Sequence, residues 1–235
     1  MPGRRRQKRT DRSKIDATPP WERRVREDRA PTSGPYDEKD LPADDEITRV
    51  DLGALRIPVS DRYDIRVDLN EAQQVIGATL AMPEGTMQVG VFAAPRNEGI
   101  WDEVRAEIAA SMNAQRGQAK ERHDGPFGTE LTGKLPGEGG LVPVRFIGVD
   151  GPRWFLRAML VGPAAVEESK AAPFLRAFEQ VIVARGSDPL PVREPVPLRL
   201  PRDVVLPGAE ESGAEESGAE EPGTDGSGAD GSGAS

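Results

Sequence analysis

The amino-acid sequence predicts an α+β domain built on a largely antiparallel sheet of about six to seven strands with two main helices. Three observations carry this expectation. Short runs of alternating apolar and polar residues recur between Asp, Asn, Gly and Pro, the pattern of half-buried strands. Only two segments repeat apolar residues at spacings of three and four. Most of the predicted strands follow one another with no helix between them, whereas parallel pairing needs a crossover helix.

Four runs open the pattern: Leu55 to Val59, Tyr63 to Leu69, Val75 to Met82 and Met87 to Ala93. They read as consecutive antiparallel strands. Tyr63, Ile65, Val67 and Leu69 mark one face and Asp64, Arg66 and Asp68 the other, so the meander is expected to be wet on one side. The first helix is predicted over Ile100 to Arg116, with Trp101, Val104, Ile108 and Met112 as its buried stripe. Asn97 or Gly99 can cap it, Asp102 and Glu103 suit its first turn, and Gly117 can end it. KERHDGPFG then reads as a loop.

Three more strands are expected at Phe127 to Leu135, Val142 to Val149 and Arg153 to Val161. Between the last two lies Asp150-Gly151-Pro152. A two-residue turn of Asp150 and Gly151 would need the amide of Pro152 as a donor, which proline lacks, so a three-residue connection is expected. That register puts Val144, Phe146, Trp154, Leu156 and Ala158 on one face and Arg145, Ile147, Arg153, Phe155 and Arg157 on the other. The second helix is predicted from Pro173 to Arg185, with proline in its first turn, Gly186 beyond its end, and Phe174, Phe178, Val181 and Ile182 as its stripe. PLPVREPVPLRLPRD has too many prolines for a central strand and reads as an extended wrapping segment.

Composition sets the outer limits. The chain has 235 residues, 22 prolines and 5% aromatic residues, which argues for one core. It contains no cysteine and one histidine, so disulfides, thiolate chemistry and Cys- or His-rich metal sites are excluded. No cofactor is expected. The net charge of −9 conceals an asymmetry, since residues 1–31 hold 11 Lys/Arg against 5 Asp/Glu and residues 208–235 hold 8 acids and no base. Residues 1–43 read as a disordered basic arm, 44–207 as the single domain, and 208–235, a five-residue repeat of small and acidic residues, as a disordered acidic tail. Within the arm, Trp21 and Val25 in WERRVRED are spaced as neighbours on a helix that can dock on a partner or on the domain. No apolar run follows the arginine-rich start, and none approaches the roughly 18 residues of a membrane span. A cytoplasmic protein without membrane contact is expected.

The segments FAAPRNEGIWDEVRAEIAASM, GPFGTEL, GVDGPRWFLRAMLVGPAA and VARGSDPLPV together resemble an uncharacterised actinobacterial family, a domain of unknown function often encoded near dUTPase. The likeness spans about Asp44 to Arg202, and GVDGPRWFLR is its most specific part. It implies no catalytic residues. The order of elements is also similar to that of PsbP-like domains, which are mostly binding or assembly modules.

No catalytic constellation is marked. His123 stands beside Asp124, but sequence neighbours rarely orient one another as base and carboxylate, and an exposed His is the plainer reading. LPGEGGLVP lacks the lysine and following helix of a phosphate loop and reads as a hairpin connection. Arg145, Arg153 and Arg157 share a face in the expected register, with Arg145 opposite Arg157; Glu130 is the plain partner, and an anion site joined by Arg96 is the sharper alternative. Trp101 and Trp154 sit at core positions. The leading functional expectation is a non-enzymatic binding module for a protein partner or a small anion. An enzyme or accessory factor of nucleotide metabolism is the first alternative. A factor binding nucleic acid weakly and without sequence preference through the basic arm is the second.

Overall fold

The computed structural model describes residues 33–201; Trp21, Val25, most of the basic arm and the acidic tail lie outside them. The elements run β1 (Tyr36–Asp37), β2 (Arg49–Asp51), β3 (Leu55–Pro58), β4 (Asp64–Leu69), β5 (Val75–Met82), β6 (Gly85–Ala93), α1 (Trp101–Ala114), β7 (Gln118–Gly125), β8 (Gly128–Gly137), β9 (Gly140–Gly151), β10 (Trp154–Val161), α2 (Glu168–Glu179) and β11 (Ile182–Val183). A seven-stranded antiparallel sheet has the order β4-β5-β6-β10-β9-β8-β7, and a small second sheet has the order β1-β11-β3-β2. The α+β class, the antiparallel sheet and the two main helices are as the sequence predicts.

Helix α1 lies on one face of the large sheet, where Trp101 and Met112 pack with Leu131, Val144, Phe146 and Phe155. On the opposite face a larger cluster joins the sheet to α2 and the small sheet through Leu55, Ile57, Leu80, Val89, Leu156, Phe174 and Phe178. Trp101 anchors the first layer. Its indole stacks on Phe155 with centroids 5.7 Å apart and donates to the Thr129 carbonyl at 2.6 Å. The amides of Ile100 and Trp101 are capped from across the sheet by the Asp150 carboxylate, at 2.8 and 3.2 Å, and not by Asn97 or Gly99. At its other end Arg116 takes φ +61° and the Gly117 amide returns to the Met112 carbonyl at 2.8 Å. Glycine is required at 117 because a Cβ would come within 2.6 Å of the Lys134 carbonyl oxygen.

Five further expectations are corrected. β3 does not extend the meander; it leaves for the small sheet, pairing with β11 and β2. KERHDGPFG is not a loop, for most of it belongs to the edge strand β7 and its turn into β8. A run of charged residues is what an exposed edge carries, and it hides the strand from apolar periodicity. The second helix begins at Glu168, so Pro173 lies inside it. The carbonyl of Ser169, which loses its helical donor to proline, belongs to an exposed residue and is free to meet water. That helix also stops at Glu179, because the β-branched Val181, Ile182 and Val183 are drawn off, the last two as β11. The N-terminal side differs as well: β1, placed by the sequence in the arm, pairs in parallel with β11.

The fifth correction concerns the β9–β10 hairpin. Gly151 pairs with Trp154, so the connection is the two residues Pro152 and Arg153. Proline has no amide to donate at a position that must close a turn, but at the first turn position no amide donor is needed. Arg153 then takes φ +66°. Relative to the three-residue connection the register moves by an odd number of residues, which exchanges faces along one strand. Arg145 now opposes Leu160, and Arg157 opposes Gly148. After α2, the chain wraps as the prolines predict. The amide of Arg193 donates to the Ala93 carbonyl at 2.7 Å, that of Val196 to Val91 at 2.9 Å and that of Arg199 to Leu52 at 2.9 Å, burying Val196 and Leu198.

Candidate functional site

The corrected register separates the four arginines that the sequence groups. Arg145 points into the layer beneath α2 and is completely buried, as is Glu130. Its Nε and Nη2 donate to the two Glu130 oxygens at 2.7 and 3.0 Å, and Nη1 reaches Glu168 of α2 at 3.0 Å. Arg122 on β7 holds the same Glu168 oxygen. Burial pushes the Glu168 carboxyl up, but hydrogen bonding to Arg122 and the charges of Arg145 and Arg122 outweigh it, and the group is held below its ordinary value. This cluster fastens β7, β8 and β9 to the start of α2. Glu130, the plain partner, therefore accounts for Arg145.

Arg157 stands on the opposite face, its guanidinium 4.9 Å above the Phe92 ring, where burial lowers its pKa. Arg145 and Arg157 thus cannot share a ligand. His123 is exposed on β7 and faces Thr129 Oγ1 at 3.4 Å, while its neighbour Asp124 accepts from Arg122 at 2.9 Å, so no His–Asp pair forms. The glycines of LPGEGGLVP join β8 to β9 in a hairpin, with Gly137 opposite Gly140. Among the described residues no group of three His, Asp or Glu side chains could hold a metal ion. No described helix is long and apolar enough to cross a membrane.

Arg96 and Arg153 do come together. They line a cleft of about 640 Å³ with Lys39, Arg185, the acidic residues Asp37, Glu38 and Asp40, and the small apolar surfaces of Ala94 and Pro152. The left-handed turn at Arg153 lets its Nη2 reach the Ser187 carbonyl at 2.9 Å. That hydrogen bond ties the hairpin tip to the loop after β11. Arg185 lies at the root of that loop. It is only 9% exposed, and its buried Nε meets no acceptor among the described residues. Burial, and then the charge of Arg153, depress its pKa, with Asp188 opposing them.

Two of the cleft's acids are already engaged. Asp37 Oδ2 accepts from the Trp154 indole at 2.8 Å and Oδ1 from the Lys39 amide at 3.1 Å. Glu38 is paired with Arg56 at 2.6 Å. Arg96, Arg153 and Arg185 therefore line the cleft without carboxylate partners among the described residues. Arg185 is the residue that sequence reasoning missed, because VARGSD reads as a helix end; its one signal is a cation placed directly after the apolar run Val181 to Ala184.

Backbone geometry at Arg153 supplies a prediction. A left-handed φ strains any residue with a Cβ by about 1 kcal/mol and costs glycine nothing. Arg153→Ala and Arg153→Gly both remove the hydrogen bond to Ser187, yet only glycine removes the strain. In urea titrations the glycine variant is expected to be the more stable of the two by about 1 kcal/mol; equal stabilities would show that the turn is unstrained.

Residues 34–206 match a family model, described as that of a protein of unknown function (DUF3710). No curated protein matches the chain. Two of the solved structures that match the chain are the following. One is the solution structure of the cyanobacterial PsbP (CyanoP) of Synechocystis sp. PCC 6803, with TM-score 0.38 and 12% identity, covering 58% of this chain and 92% of that one. The other is the crystal structure of LpqN, a protein involved in cell envelope biogenesis of Mycobacterium tuberculosis, with TM-score 0.31 and 15% identity, covering 64% and 99% of the two chains.

Proposed function

The chain belongs to this family of unknown function, DUF3710, and from that starting point we propose that it is a non-enzymatic binding module that captures an anionic group in the cleft of Arg96, Arg153 and Arg185. The observation that carries the proposal is Arg185. A guanidinium that is nine-tenths buried with a donor left unpaired lacks part of the hydrogen bonding it would have in water. Two further arginines beside it add repulsion. An anion in the cleft relieves that repulsion and gains charge-assisted hydrogen bonds from the guanidinium nitrogens it can reach. In this reading the protein is cytoplasmic, and the basic arm, with Trp21 and Val25, speeds and orients the encounter with a partner.

A thermal-shift screen of the full chain against phosphate, sulfate and citrate tests it. An anion that binds only the folded protein stabilises it in proportion to its occupancy. The melting temperature is expected to rise with at least one anion in wild type and to stay flat in Arg185→Gln. An equal rise in both proteins, or none in wild type, contradicts the proposal.

A further inference from the structure

We infer that the cleft takes the dianionic phosphate of a phosphomonoester whose remaining part is uncharged and hydroxyl-bearing. The inference rests on the anion-binding reading and names its ligand class.

The charge balance selects a dianion. Arg96, Arg153 and Arg185 converge without carboxylate partners among the described residues, and Arg153 lies close enough to Arg185 to disfavour its charge. With Lys39 the lining holds four cations against three carboxylates, of which Glu38 is already paired with Arg56, so a surplus of about two positive charges remains, which a single carboxylate would only half offset. A phosphate monoester carries about −1.5 to −2 charges at pH 7 and offers three acceptor oxygens, enough to engage more than one guanidinium at once. Arginine is also the side chain whose planar fork matches phosphate geometry.

The rim restricts the rest of the ligand. Asp37, Glu38 and Asp40 line one wall, and the first two are already committed to Trp154 and Arg56. That wall repels a second anionic group, so di- and polyphosphates are disfavoured. Asp40, exposed at the same wall, is suited to accept hydrogen bonds from hydroxyls. The volume of about 640 Å³ lies inside the range of small-molecule sites, roughly 300 to 1,000 Å³. Ala94 and Pro152 supply the little apolar surface there is. A pentose-sized phosphate fits this description, whereas a phosphorylated side chain presented by a protein shares the phosphate but not the hydroxyls.

Calorimetric titration of the full chain separates the possibilities. The probes are ribose 5-phosphate, a short phosphoserine peptide and glutarate, each at pH 8 and pH 5. The second ionisation of phosphate falls near pH 6, whereas guanidiniums stay charged throughout. Lys39 and the carboxylates of Asp37, Glu38 and Asp40 line the same cleft, and Asp188 acts on Arg185 from beside it. Affinity for a phosphate probe is therefore expected to fall by roughly tenfold or more from pH 8 to pH 5, while glutarate binds at least about tenfold more weakly than that probe at pH 8. Whichever phosphate probe binds identifies the source. Arg96→Gln, in an exposed loop, is expected to weaken binding several-fold with an unchanged melting temperature, and Arg185→Gln to abolish it. Glutarate, a dicarboxylate of the same charge, binding as tightly as the phosphates, or phosphate affinity independent of pH, overturns the phosphomonoester inference and leaves the anion-binding reading standing. Binding of none of the three probes overturns the phosphomonoester inference; if phosphate, sulfate and citrate also fail to stabilise wild type, the anion-binding reading falls with it.

Discussion

Glu130→Leu is expected to destabilise the protein by about 3 to 5 kcal/mol, the range for removing one partner of a buried ion pair. Arg145 is completely enclosed, and two of its three guanidinium nitrogens donate to Glu130. Without that carboxylate the cation keeps only Glu168, which is half exposed on its side chain and shared with Arg122. The loss is mainly that of an uncompensated charge. A second change, Arg145→Met, should therefore recover much of it, and the double variant is expected to be more stable than Glu130→Leu alone. Urea denaturation of the three variants gives the answer. A single variant within about 1 kcal/mol of wild type would show that the pair contributes little to holding β8 and β9 to α2.

The second large effect is expected at Trp101, where Trp101→Ala should cost about 3 to 5 kcal/mol. The reason lies in the strand beneath. Gly148 is a window for the indole: a Cβ there would overlap the Trp101 ring and stand 2.8 Å from Phe155. Gly148→Ala is accordingly expected to cost about 1 to 3 kcal/mol through overpacking. The two sites should couple. Once Trp101 is alanine only Phe155 still crowds a Cβ at 148, and the same Gly148→Ala change should cost less than it does beneath the indole. Strictly additive losses would mean that the indole does not use the glycine as its seat.

Local chemistry made much of the fold readable. The bounds of β5 were legible from alternation alone, and the wrapping of 193–199 from proline spacing. Trp101 and Met112 were identifiable as the buried ends of the α1 stripe. What stayed hidden depends on partners distant in sequence. β7 is nearly all polar, so only its pairing with β8 reveals it. The faces of β9 and β10 hinge on whether Pro152 is read as the last turn residue or the first, and that single step dissolves the expected Arg145–Arg157 pair. The candidate site was half legible. Arg96 and Arg153 were named, though for a face that does not form. Arg185 was not, because its burial arises from β11 inserting between β1 and β3.

The account centres on the Arg185 guanidinium as an anion receptor, and its Nε–H resonance reports on that directly. In ¹⁵N-labelled full chain, assigned by its loss in Arg185→Lys, this signal is predicted to move saturably on titration with ribose 5-phosphate while the Nε–H signal of the carboxylate-bound Arg145 stays in place. An Arg185 signal that does not respond at concentrations where ligand binds, or a shift shared equally by Arg145, would contradict it.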